Sequence, residues 1–101
     1  MHLVQILLPR ADNKGTPFDR EPFDQLKQEL AARYGGVTAY VRSQAEGLWK
    51  TEGAISSDDV ILFEVMAEVL DQGEWTARRQ RLERLFRQDH IIIRHMPIIL
   101  V

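Results

Sequence analysis

The sequence contains no cysteine among its 101 residues. Disulfide bonds, thiolate catalysis and metal sites with cysteine ligands are therefore excluded. The turn-rich loop from Ala11 to Pro17 has neither several glycines nor the lysine pattern of a P-loop. Since a phosphate cradle needs one of these features, we interpret this loop as a plain connection.

A long hydrophobic run is missing as well. The apolar N-terminal run His2–Leu8 ends at Pro9, so it is too short to span a bilayer, and it shows no basic leader or secretory cleavage pattern. The sequence also lacks a large excess of either charge, because the net charge is only −2. This balance argues against a main role in gripping nucleic acid through its phosphates. We expect a cytoplasmic protein that binds neither a membrane nor nucleic acid.

The stretch from Asp59 to Ala67 is the element around which the chain is organised. It is a short apolar run rich in Val, Ile and Phe, and Glu64 interrupts it once. Such a run, bounded by turn residues, predicts a strand buried on both faces. A carboxylate in the middle of this strand makes Glu64 the first candidate for a functional residue.

Hydrophobic periodicity predicts further strands and two helices around this run. The first helix begins with Asp19 as its N-cap and ends before Gly35 and Gly36. Leu48 and Trp49 are too apolar for a free loop, which favours a short extra strand between the second and third strands. The predicted strands are 2–8, 37–42, 59–67 and 91–96, and the second helix runs over about 71–88.

The order of the predicted elements is βαββαβ, which is typical of the ferredoxin-like α+β fold. We expect a single domain over residues 1–101. In this fold the sheet is antiparallel with strand order 4-1-3-2, and both helices cover one face. Strands 1 and 3 are then central.

The alternation of residues along the strands separates two faces of this sheet. One face is wholly apolar and should lie under the helices. The other mixes Leu3, Leu7, Leu62 and Met66 with polar residues, so it would expose an apolar patch. We infer that something covers this face. By analogy with the fold, the cover is a second copy of the chain, in a two-fold dimeric α+β barrel.

Three polar residues, Gln5, Glu64 and Arg94, sit in the middle of adjacent strands on that second face and could form one row. Tyr40 and Arg42 would approach Glu64 from the second strand. A buried carboxylate needs a partner, because an unpaired buried charge is costly or shifts its pKa. Glu64 could pair with Arg42 or Arg94 and fix the register of a dimer. Alternatively, it could act as a general acid or base, with Tyr40 and an arginine steering an anionic substrate.

Other chemically active side chains are less well arranged. His2, His90 and His95 are too scattered along the sequence to predict a metal site, and we expect neither a metal nor a cofactor. Trp49, next to Leu48, is expected to cap the mouth of the barrel or to reach the neighbouring subunit as an interface anchor.

The second helix carries five arginines, which could suggest nucleic-acid binding. The segment from residue 53 to residue 74 is acidic and lacks Lys and Arg, so internal pairing is the simpler explanation. Although RNA-recognition modules share this fold, their stacking aromatic residues are missing, since only Tyr40 lies on the second face. The arginines are Arg78, Arg79, Arg81, Arg84 and Arg87.

Three segments also carry a resemblance to known proteins: Gly35–Lys50, Phe63–Met66 and Leu82–Gln88. The chain resembles small bacterial proteins of about this length that have a ferredoxin-like fold of the dimeric α+β-barrel type and no assigned activity. The resemblance covers most of the chain. It implies a compact ferredoxin-like protein and brings no catalytic residues with it.

Two functions are consistent with the sequence. The first is a homodimer that binds a small molecule or a protein through the second face, with Gln5, Tyr40, Arg42, Trp49, Glu64 and Arg94 as candidate binding residues. The alternative is a cofactor-independent isomerase, lyase or monooxygenase with Glu64 as acid or base and Tyr40 beside it. A closed, dry dimer interface filled by Leu62 and Met66 would exclude the enzyme, whereas a pocket with Glu64 at its wall would leave it open.

Overall fold

The computed structural model describes residues 1–42 and 60–101 of the chain. In that part of the chain four strands and two helices follow one another in the predicted βαββαβ order. The extra strand predicted around Leu48 and Trp49 lies outside the described residues. The elements are β1 (His2–Pro9), α1 (Arg20–Tyr34), β2 (Thr38–Arg42), β3 (Val60–Ala67), α2 (Gln72–Leu85) and β4 (Ile92–Pro97).

The four strands form one antiparallel sheet in the order β2-β3-β1-β4. This is the predicted order, and it confirms the ferredoxin-like α+β fold. The central strand β1 pairs with β3 on one side and with β4 on the other. As a result Gln5 lies opposite both Glu64 and Arg94.

The mainly apolar face of the sheet lies under the two helices, as the alternation predicts, and His95 also falls on it opposite Val4. Phe86 is fully buried at the end of α2, and its ring centroid lies 5.1 Å from that of Phe18 and 5.0 Å from that of Phe23. Burial of apolar surface is the main stabilising contribution of such a core. The buried core is Val4, Ile6, Leu8, Phe23, Leu26, Leu30, Phe63, Val65, Ala67, Trp75, Leu82, Phe86 and Ile91.

The helix ends explain where the chain turns back to the sheet. Helix α1 stops at Gly35, whose φ of 81° is left-handed and whose N–H donates to the carbonyl of Ala31. Helix α2 begins after Asp71, whose side chain accepts a hydrogen bond from the backbone N–H of Glu74 at 3.0 Å. It ends at Leu85, before the predicted position 88, because Arg87 adopts a left-handed φ of 52°.

The two helices are joined by a network of charged side chains. Arg78 is only 8% exposed and lies 3.1 Å from a carboxylate oxygen of both Glu29 and Glu74. Arg81 is 2.6 Å from Glu29, so it also belongs to this network. Internal pairing is therefore correct for these arginines, although Glu29 lies outside the acidic segment expected to supply the partners.

Tyr34 completes this network from the end of α1. Its hydroxyl donates to Glu74 at 2.6 Å, and its ring stacks on Trp75 with centroids 5.5 Å apart. Arg33 donates to the other oxygen of Glu74 at 2.9 Å. With these donors around it, the pKa of Glu74 falls from 4.5 to about 2, and the Tyr34 hydrogen bond is the largest cause.

The second face of the sheet, which the helices leave open, is called the far face below. Met66, Ile92 and Met96 are 50%, 56% and 42% exposed on it. Leu62 is different from the expectation, since it is only 2% exposed within the single chain. The exposed apolar patch therefore lies toward β4 and the end of β3. Neither of the described helices is long and apolar enough to cross a membrane.

Candidate functional site

The row predicted from the sequence is present on the far face. Nε2 of Gln5 donates to Oε2 of Glu64 at 2.6 Å. Nε of Arg94 donates to Oε1 of Gln5 at 2.7 Å. The strand register brings the three residues side by side because Gln5 is the cross-strand partner of both others.

Gln5 links a positive and a negative side chain in this row. A guanidinium can only donate and a carboxylate can only accept, so the amide oxygen must face Arg94 and the amide N–H must face Glu64. The two hydrogen bonds therefore hold the amide in one orientation, and a polarised chain of this kind strengthens each bond. Gln5 is 8% exposed, and burial makes its two partners more important.

The structure changes the expected ion pair of Glu64. Among the described residues its partner is Gln5, and Arg94 joins the row through Gln5. On the other side, Thr38 is the residue opposite Glu64, while Tyr40 is opposite Leu62 and Arg42 is opposite Val60. The backbone register therefore places Tyr40 two residues and Arg42 four residues along β2 from the position facing Glu64.

A groove of about 470 Å³ runs along the start of β2 and the end of β3. Glu64 lies in its wall, half-buried, together with its cross-strand partner Thr38. Leu3 and Met66 add apolar surface. Its other lining residues are Tyr34, Gly35, Gly36, Val37 and Val65.

The groove combines features that suit a small organic ligand. Its volume is within the range of small-molecule sites, and it places apolar surface beside a few polar groups. The Glu64 carboxylate can bind a cation or accept a proton, and the exposed Thr38 provides a hydroxyl beside it. Glycine at positions 35 and 36 leaves the backbone open, since no atom lies within 4 Å of where a Cβ would be.

Two of the predicted features have no outcome in the structure. Trp49 lies outside the described residues. Within residues 1–42 and 60–101 no three potential metal ligands come together. The catalytic and binding roles of the candidate residues therefore stay predictions, and the structure supplies their positions.

Sequence reasoning missed part of the groove. Leu3 was assigned only to the apolar patch, and Thr38 was not singled out, because the register between β2 and β3 is not readable from either strand alone. The glycine pair was interpreted only as a helix stop. The turn that joins α1 to β2 places this pair beside Glu64. The sequence could have indicated this position, because the glycines lie only two and three residues before Thr38.

Comparisons with known proteins show a likeness in structure only. No family model and no curated protein matches the sequence. A solved phage SAM lyase in complex with S-methyl-5'-thioadenosine superposes with a TM-score of 0.57 at 14% identity, covering 94% of this chain and 79% of that one. The same kind of enzyme in its apo state gives a TM-score of 0.55 at 15% identity, covering 94% and 78%. At this identity the likeness supports the fold, a small α+β domain.

Proposed function

We propose that the groove beside Glu64 binds a small molecule and that the chain is a cofactor-independent lyase. The observation that carries this proposal is the position of Glu64, a half-buried carboxylate in the wall of a groove, held by Gln5 at 2.6 Å. A carboxylate held by a neighbouring amide is in place to accept a proton. The similar phage enzyme is a lyase that acts on SAM, which gives a specific substrate to test.

The chemistry of the groove suits an adenosyl sulfonium compound such as S-adenosylmethionine. Its apolar walls at Leu3 and Met66 offer surface for a purine ring, and Thr38 can hydrogen-bond to a ribose hydroxyl. The carboxylate of Glu64 complements a positively charged sulfonium or ammonium group. A volume of about 470 Å³ is in the usual range for a ligand of this size.

In the proposed reaction Glu64 removes a proton from Cβ in the methionine part of S-adenosylmethionine, next to the Cγ that is bonded to sulfur. The electrons of that C–H bond form a carbon–carbon double bond, and the carbon–sulfur bond breaks with its electron pair going to sulfur. The sulfonium becomes the neutral thioether S-methyl-5'-thioadenosine, and the other product is 2-aminobut-3-enoate. Glu64 then returns its proton to water, so no cofactor or second substrate is needed.

Incubation of the purified protein with S-adenosylmethionine tests this function. We expect S-methyl-5'-thioadenosine and 2-aminobut-3-enoate in equal amounts by liquid chromatography and mass spectrometry. Glu64→Gln should reduce the rate by roughly 10²–10⁴-fold, as for the loss of a general base. Glu68→Gln is the matched control, because Glu68 is an exposed residue just after β3, and it should leave the rate unchanged.

Other products would change or overturn the proposal. A lactone in place of 2-aminobut-3-enoate would mean that the substrate's own carboxylate displaces sulfur, and Glu64 would then not be the base. If neither product forms and calorimetry detects no binding of S-adenosylmethionine or S-methyl-5'-thioadenosine, the groove does not serve this substrate class.

We also propose that a second copy of the chain covers the far face. The supporting observation is the exposed apolar set Met66, Ile92 and Met96, since exposed apolar patches commonly mark interfaces. Sedimentation equilibrium at micromolar concentration should give the mass of a dimer. Ile92→Lys should shift the equilibrium toward the monomer, whereas the exposed substitution Gln80→Lys on α2 should not. A monomer at these concentrations for the unmodified chain would contradict this proposal.

A further inference from the structure

A second pocket lies on the opposite side of the sheet from Glu64. It has a volume of about 420 Å³ and sits between α1 and the β2–β3 edge of the sheet. The proposed lyase reaction does not use it, because its residues face the helices and not the far face. It is therefore a separate feature of the molecule.

The floor of this pocket is apolar and partly aromatic. Phe63 is buried under it, and Phe18 is held at the side by edge-to-face packing on the Phe86 ring. Because rings fixed in this way cannot easily collapse into the space, the pocket leaves apolar surface without contacts. A ligand with an apolar body would supply them. The floor residues are Phe18, Phe23, Ala39, Ile61 and Phe63.

The mouth of the pocket is mainly basic, in contrast to the net charge of −2 of the chain. Arg20, Asp24 and Lys27 follow one another along one side of α1. Arg20 and Asp24 form an ion pair of 3.6 Å, but the Arg20 side chain is 90% exposed, so water weakens this pair. Lys27 adds a positive charge on the same side, and Arg10 also lines the pocket.

We propose that this pocket binds a small amphiphilic anion, a carboxylate with an aliphatic or aromatic body. The apolar floor takes the body, and the basic mouth at Arg20 and Lys27 holds the carboxylate. The volume is within the range of small-molecule sites. A cation of the same shape would meet like charge at the mouth and should be rejected.

Decanoate, kept below its aggregation concentration, is a suitable probe. Methyl NMR spectra of the full chain should show saturable shifts at Ala39 and Ile61 when decanoate is added. The cation decyltrimethylammonium should bind at least about tenfold more weakly than decanoate. The reason is that each unfavourable charge contact of about 1 kcal/mol changes affinity roughly fivefold. Lys27→Glu should weaken decanoate by about fivefold on the same basis. Arg84→Glu, the same change of charge at an exposed position of α2, should leave the affinity unaltered.

A filling variant tests the position of the apolar body. Ala39→Leu places a larger side chain in the floor and should abolish the saturable shifts while circular dichroism shows a folded protein. If Ala39→Leu does not fold, the Lys27→Glu and Arg84→Glu pair decides, since both changes are on the surface. Equal binding of decanoate and its cationic analogue, or shifts that leave Ile61 and Ala39 unaffected, would overturn the proposal.

Discussion

The pH dependence of stability should reveal the network around Glu74. This carboxylate receives a hydrogen bond from Tyr34 at 2.6 Å and from Arg33 at 2.9 Å, and Arg78 lies 3.1 Å from it. Glu74→Gln removes the negative charge and keeps the size of the side chain. The amide oxygen can still accept from Tyr34, so the substitution mainly removes the two ion pairs.

The expected magnitude follows from the pKa of Glu74. Its fall from 4.5 to about 2 corresponds to a ceiling of about 3.4 kcal/mol at about 1.36 kcal/mol per pKa unit. The side chain is 22% exposed and that of its partner Arg33 is 55% exposed, so screening should reduce the effect to about 1–2 kcal/mol. Because the pKa in the folded state is lowered, this stabilisation is present above pH 4.5 and is lost as the pH falls toward 2.

Urea unfolding followed by circular dichroism, at several pH values between 2 and 7, measures this effect. The difference in unfolding free energy between the unmodified chain and Glu74→Gln should be largest near neutral pH and should shrink toward zero at the acid end. Asp24→Asn is the control, because Asp24 pairs only with a 90% exposed arginine side chain among the described residues. A Glu74→Gln difference that stays constant across this range would refute the assigned cause.

Three further substitutions test the fold and the row. Gly35→Ala should destabilise the chain by about 1 kcal/mol, because the left-handed φ of 81° is unfavourable for alanine; Gly36→Ala, which is not left-handed, should have a smaller effect in the same denaturation assay. Phe86→Ala should cost about 3–5 kcal/mol, since the ring is fully buried and contacts two other rings, and a loss below about 1 kcal/mol would argue against this packing. Gln5→Leu should destabilise the chain by about 1–3 kcal/mol, because Glu64 loses its hydrogen-bond donor. Adding Glu64→Leu should restore part of this stability. If the double variant is no more stable than Gln5→Leu alone, the lost hydrogen bond is not the cause.

The far-face row shows how much of a site can be predicted from the alternation of residues along strands. Alternation along each strand placed Gln5, Glu64 and Arg94 on one face, and the fold made their strands neighbours. Both steps are local or topological, so they could be read from residue order. The hydrogen-bond partners within the row could not be read in this way, because pairing depends on the register between strands and on side-chain reach. The structure puts an amide between the two charges.

The interhelical network shows a second limit. The spacing of Glu74 and Arg78 is four residues, so that ion pair could be read from the sequence. Glu29 reaches Arg78 and Tyr34 reaches Glu74 from the other helix, at separations of 49 and 40 residues along the chain. Only the way the helices pack on the sheet brings these groups together.

The sequence by itself determined the order of the elements and the two faces of the sheet, because hydrophobic periodicity and turn residues act over short distances. The tertiary structure decided that Leu62 is buried in the single chain, that Thr38 faces Glu64, and that two pockets of different chemistry lie on opposite sides of one sheet. Pockets form where elements distant in the chain fail to fill the space between them. Their shape therefore depends on packing in three dimensions, which the order of residues along one strand or helix does not specify.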